Sequence, residues 1–148
     1  MKNRTGISLR EGLDRYLEEN ASVSSDREVS SEAQEFFRCH DAAHVVFGCD
    51  TTLFGEGILK IFTIFRTTLG FRGHLSGYAE AGAFDLFRQY RLGHVMGNTF
   101  LLSVNIPSAV VRARKMSRPW PWADHEQYLD ASVEEIRKEF NIKVLQRA

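Results

Sequence analysis

Apolar residues recur along this chain at intervals that a helix, rather than a strand, gathers onto one face. Over residues 7–19 they fall at Leu9, Leu13, Tyr16 and Leu17, with a polar opposite face. The pattern lapses over 21–31, a stretch rich in Ser, Asp and Glu that predicts a loop. Ser30 or Ser31 can cap a second helix, which runs through Phe36 and Phe37 and stops at Gly48. Asp50, Thr51 and Thr52 offer caps for a third, expected to end near Gly70. Its apolar residues Leu53, Ile58, Leu59, Ile61, Phe62, Ile64 and Phe65 occupy most faces, so it should lie centrally. Four glycines (Gly70, Gly73, Gly77 and Gly82) predict a loop over 70–82. Residues 84–96 read as a helix, and 100–116 as another, bent at Pro107. Arg118-Pro119-Trp120-Pro121-Trp122 then forms a turn, and Ser132-Val133-Glu134-Glu135 is a capping box opening a short helix to Phe140. No alternating strand pattern appears. The expected fold is all-α, a single compact helical domain of about six helices over residues 1–148.

Composition narrows the function classes. The chain is 43% hydrophobic and 26% charged, which is globular, and long enough to bury a sizeable core. Its nineteen acidic and nineteen basic residues cancel, which argues against nucleic acid as a partner. Two cysteines, Cys39 and Cys49, cannot make a disulfide framework. Cys39 stands beside His40 as a conceivable ligand, but a small residue on a buried helix reads more simply as packing. Glu11, Asp14, Glu18 and Glu19 make the N-terminal stretch unlike a signal or transit peptide. The apolar runs 58–71 and 100–111 are too short, or too interrupted, for the roughly 20 apolar residues of a membrane span. The expectation is a cytoplasmic protein, with peripheral contact at the inner membrane face left open.

The chemistry concentrates in His40-Asp41-Ala42-Ala43-His44 and Glu56. At about 100° per residue, His40 and His44 share a helix face one turn apart, as two nitrogens offered to one ion must. Asp41 is turned by about 100° from His40 and about 60° from His44, so it is either a ligand at the edge of the site or a partner for an imidazole N–H. Glu56 arrives near the start of the next helix, where the helix dipole favours a carboxylate. Two imidazoles with carboxylates suit zinc, iron(II) and manganese. The plainer reading is a surface His–Asp pair with Glu56 and Lys60 as an i,i+4 salt bridge. The zincin motif H-E-x-x-H is close, but Asp41 replaces its Glu. A His-Asp phosphohydrolase needs further His and Asp ligands from other helices, for which His74, His94 and Asp85 could be recruited, without any spacing that favours it.

The run His40-Asp41-x-x-His44 followed after eleven residues by Glu56 resembles the signature of the ubiquinone (coenzyme Q) biosynthesis protein four family. Gly48, Gly55-Glu56, Lys60 and Phe62 fit its pattern, and residues 133–142 look like its closing helix. The core that resembles the family covers 30–142, behind an N-terminal helix and loop over 1–29. Departures lie at Arg66-Thr67-Thr68-Leu69-Gly70, where family members read Gln-Thr-Gly-Leu-Pro, and at Thr63, where an acidic residue is often found. The chain also reads as a short member, lacking much of the usual N-terminal helical region.

The resemblance implies an all-helical fold and a divalent metal held by His40, Asp41, His44 and Glu56. Zinc leads, with iron(II), manganese and magnesium as alternatives. It implies affinity for a prenylated quinone precursor or other polyprenyl lipid, and association with other ubiquinone-biosynthesis proteins, with a homo-oligomer left open. The activity it implies is oxidative decarboxylation at C1 of the prenylated head-group precursor. The alternatives are a non-catalytic prenyl-lipid-binding or assembly factor with a structural metal, and a metal-dependent hydrolase of an unrelated substrate. Phe54, Ile58, Phe62 and Phe65 are candidates to line a prenyl channel, although such a stripe is more often core. Lys60 or Arg66 could meet an anionic head group, and Trp120 and Trp122 could meet a membrane interface or pack the turn.

Overall fold

In the computed structural model the described residues are 6–20, 30–80 and 92–145; side chains at 74, 77–80 and 92–102 are not described. The described residues form six α-helices: α1 (Leu9–Glu19), α2 (Ser31–Phe47), α3 (Leu53–Arg66), α4 (Gly70–Glu80), α5 (Leu92–Arg114) and α6 (Val133–Glu139). A short 3-10 helix, His125–Tyr128, precedes α6. No strand occurs among these residues. Extended backbone pairs only at two isolated bridges, Ser8 with Ser132 and Thr67 with Trp120. The all-α expectation therefore holds.

The helix starts follow the capping residues. Ser30 accepts from Ala33 N and Thr52 from Gly55 N. Ser8 with Glu11, and Ser132 with Glu135, close reciprocal capping boxes. Gly48 ends α2 at φ +68°, a left-handed conformation that glycine adopts without a Cβ penalty.

Packing places α2 and α3 at the centre. Phe47 stacks on Phe62 with centroids 4.9 Å apart, and Val46, Ile58 and Leu59 close around them. Each such burial contributes roughly 1.5–3 kcal/mol. Helix α5 packs chiefly along α3, while α1 and α6 pack against α2. Helix α1 approaches closely because a Cβ on Gly12 would lie 2.8 Å from Val45 Cγ1. Phe54, Ile58 and Phe62 are buried as core, whereas Phe65 is exposed, so the stripe does not form one continuous lining. Both tryptophans are interior: Trp120 lies against Tyr128 and Phe140, and Trp122 against Phe36.

Two expectations need correction. Residues 70–80 form α4 rather than a loop. Gly70 takes φ +66° at the reversal after α3, and Gly73 admits Leu69, whose Cδ1 would lie 2.7 Å from a Cβ there. These glycines serve a turn and a close contact; a helical glycine costs only about 1 kcal/mol. The boundary expected between 96 and 100 is also absent, because α5 runs unbroken from Leu92 to Arg114. Pro107 is accommodated inside it. The loop expected over 21–29 and most of the helix expected over 84–96 lie outside the described residues.

The departing segment Arg66–Gly70 has a structural task of its own. Trp120 N donates to Arg66 O at 2.8 Å and Thr68 N to Trp120 O at 2.9 Å. Trp122 N donates to Thr68 Oγ1, and the Arg66 guanidinium to Met116 O. The end of α3 is thereby fastened to the Pro-Trp turn, and Arg66 takes part in that fastening through one donor to Met116 O.

Candidate metal centre

Helix α2 presents His40 and His44 one turn apart, and their rings meet edge to face with centroids 4.6 Å apart. Between α2 and α3, Asp50 folds back over the new helix and accepts from Thr52 N and Thr52 Oγ1. Only glycine fits beneath that turn: a Cβ on Gly55 would lie 2.2 Å from Asp50 O. Glu56 follows immediately, in the first turn of α3, and its carboxylate spans both imidazoles. Oε1 lies 2.9 Å from His44 Nε2 and Oε2 lies 3.5 Å from His40 Nε2. One ligand atom from each of His40, His44 and Glu56 fits within 4.8 Å of the others.

Hydrogen bonding decides what His44 offers. Its Nδ1 lies 3.1 Å from the carbonyl of Cys49, which can only accept, so Nδ1 carries the proton. In the neutral ring Nε2 is then a lone pair, fully buried and facing a carboxylate oxygen that is also an acceptor. Such a pair calls for a positive charge between its members: a second proton on the ring or a metal cation. A backbone carbonyl holding the far nitrogen is the usual support for a metal-binding histidine. Tyr16 of α1 stacks on the same ring at 5.2 Å and fixes its plane.

The electrostatics agree. Burial alone would raise the carboxyl of Glu56, but hydrogen bonds and charge from His40 and His44 hold it well below the usual carboxylate range. Burial likewise pushes His40 down; its interactions with Asp41 and Glu56 outweigh this and raise it to about 9. Asp41 takes no part in the three-residue group. Its Oδ1 lies 3.9 Å from His40 Nδ1, on the opposite edge of the ring from Glu56. Lys60, partly buried, is pushed down by desolvation, which the nearby Glu56 partly offsets. Cys39 and Cys49 are free, buried thiols. Burial, with neighbouring carboxylates, raises both, Cys39 to about 12.

Sequence spacing located the two histidines and Glu56 but gave no sign of what supports them. Tyr16 looked like an ordinary apolar position, and the Cys49 carbonyl is backbone. Arg137 of α6 donates to Val46 O at 2.8 Å and Val45 O at 2.9 Å, closing the last turn of the histidine helix. Two donors of one arginine so placed leave no periodic trace. Of the further histidines and acids considered for a phosphohydrolase, Asp85 is outside the described residues, and the side chains of His74 and His94 are not described.

A helical core with two imidazoles and a carboxylate converging between consecutive helices defines a class of α-helical proteins with a candidate divalent-cation site. Within that class, the chain belongs to the family described as Coenzyme Q (ubiquinone) biosynthesis protein Coq4, whose model matches residues 24–146. The Ubiquinone biosynthesis protein COQ4 homolog, mitochondrial, of Aedes aegypti is 31% identical over 120 residues, 81% of this chain. The chain spans 40% of that relative's length. No solved structure matches.

Proposed function

We propose that this chain is a metal-dependent member of the ubiquinone biosynthetic machinery, with His40, His44 and Glu56 holding a divalent cation and Asp41 steadying His40 from behind. The buried Nε2 lone pair of His44, set 2.9 Å from an ionised carboxylate, carries this reading. Two nitrogens and one oxygen suit zinc first, with iron(II), manganese and magnesium as alternatives. When bound, the cation supplies Lewis acidity toward a carboxylate or phenolate oxygen. The protein's own share is to orient: Glu56 bridges two helices, Tyr16 fixes the His44 ring, and Lys60 brings a cationic group beside Glu56. The reaction class is oxidative decarboxylation at C1 of a prenylated aromatic acid: the ring–carboxyl bond breaks with loss of carbon dioxide, one atom of dioxygen forms the new C–O bond at the same carbon, and the other leaves as water with two electrons from an external reductant.

The runner-up is a scaffold that binds prenyl lipid or partner proteins while the metal only pins α2 to α3. Exposed apolar side chains on three helices favour it: Phe65 on α3, Phe71 and Leu75 on α4, and Val104, Ile106 and Val111 on α5. Among the described residues no helix is long and apolar enough to cross a membrane, so contact would be peripheral. Turnover of a prenylated hydroxybenzoic acid under oxygen by the metal-loaded chain, lost in a folded His40→Ala variant, supports the enzyme. Absence of turnover, with prenyl lipid co-purifying from wild type and variant alike, supports the scaffold.

A further inference from the structure

A second group of donors lies on the same helix, outside the site just described. The Cys39 sulfur, a Glu35 carboxylate oxygen and a ring nitrogen of His125 all lie within 4.8 Å of one another. Glu35 and Cys39 stand one turn apart on α2, and His125 comes from the distant 3-10 helix. Cys39 and His125 are almost fully buried, at 1% and 3% exposure, while Glu35 reaches the surface.

The donors are individually oriented. His125 Nδ1 lies 3.3 Å from Trp122 O, a pure acceptor, so Nδ1 bears the proton and Nε2 the lone pair. Glu35 divides its oxygens: Oε2 faces Arg38 at 3.3 Å and Oε1 faces Cys39 Sγ at 3.5 Å. The two elements are held together independently of any ion, by Arg38 to Glu126 at 2.8 Å and by Phe36 against Trp122.

We infer that Glu35, Cys39 and His125 form a second cation site, suited to a borderline-soft divalent ion of the zinc class. Sulfur, nitrogen and oxygen donors together favour zinc, cobalt(II) or cadmium over magnesium or calcium. Binding forms the metal–sulfur bond as the thiol S–H bond breaks: the divalent ion replaces the Cys39 proton, which leaves to solvent. The exposed side at Glu35 is the route in and leaves room for water as a fourth ligand. The ion would clip the 3-10 segment to the helix that carries His40 and His44, linking the two groups mechanically.

Cobalt(II) titration of the full chain, followed by absorption, tests this directly, because only this group contains sulfur. The wild type should develop a sulfur-to-cobalt charge-transfer band. The band should persist in Glu56→Gln and Cys49→Ser and vanish in Cys39→Ser. Glu35→Gln, at an exposed position that cannot threaten the fold, should weaken cobalt binding at this group by about tenfold or more. A folded wild type without the band overturns the inference, as does a band that survives Cys39→Ser. If Cys39→Ser fails to fold by circular dichroism, an unchanged affinity in Glu35→Gln overturns it instead.

Discussion

The α2–α3 pair and the α4–α5 side of the molecule treat polarity in opposite ways. Between α2 and α3, buried imidazoles and a carboxylate point inward, and α1 and α6 reach across to brace them through Tyr16 and Arg137. On α4, α5 and the last turn of α3, large apolar side chains point outward, with Phe65 at 62% and Phe71 at 61% exposure. A fold that hides charge in one place and displays hydrocarbon in another is organised around two kinds of contact. The first needs fixed geometry; the second needs only apolar area.

The sharpest break in that comparison is His44→Ala. It removes a fully buried ring, strands the Cys49 carbonyl and leaves Tyr16 unstacked, a loss of about 3 kcal/mol in urea unfolding, together with the first cation site. Unaltered stability would show that the buried ring is not braced as described. Gly55→Ala forces a Cβ into Asp50 and should cost about 2.5 kcal/mol while moving Glu56 off the histidines. Normal zinc affinity in that variant would separate the turn from the site. Arg137→Met removes two hydrogen bonds to the end of α2 and should cost about 2 kcal/mol.

The pH dependence follows next. His40 is raised from 6.5 to about 9, so its contribution to the metal-free fold is complete below pH 6.5 and fades as pH rises through 9. Glu56 is lowered from 4.5, so its contribution is present above pH 4.5 and is lost as pH falls through its folded value. The metal-free protein should therefore be most stable between about pH 4.5 and 6.5 as far as this pair governs it. A cation must displace the His40 proton, so affinity at this site should rise about tenfold per pH unit, or ~1.4 kcal/mol, up to about 9. Flat affinity over that range would exclude His40 as a ligand. Among the exposed apolar side chains, Phe71→Ser should change stability by less than about 0.5 kcal/mol yet reduce binding to lipid vesicles. A large destabilisation would mean that this face is core after all.

The same contrast governs what could be read from the chain. Local signals sufficed for the α2–α3 pair. Ser30, Gly48 and Thr52 set the helix limits, and an i,i+4 pair followed by a first-turn Glu set the chemistry. What holds the site came from far along the sequence, and Tyr16 and Arg137 carry no spacing that points to it. His125 stayed hidden for the same reason, although Glu35 and Cys39 already stood one turn apart. Around α4 the local signal misled, because glycine marks both a breaker and a place where side chains press close. Gly73 against Leu69 is the second kind, and only packing distinguishes them.

The central claim is that His40, His44 and Glu56 bind a divalent cation. Calorimetric titration of zinc into the Cys39→Ser chain, compared with the same chain carrying Glu56→Gln, isolates that site from the sulfur-containing group. The geometry predicts a single tight equivalent in the first protein and its loss, or a fall in affinity of about a hundredfold, in the second. Equal, undiminished binding in both, or none in the folded Cys39→Ser chain, would contradict it.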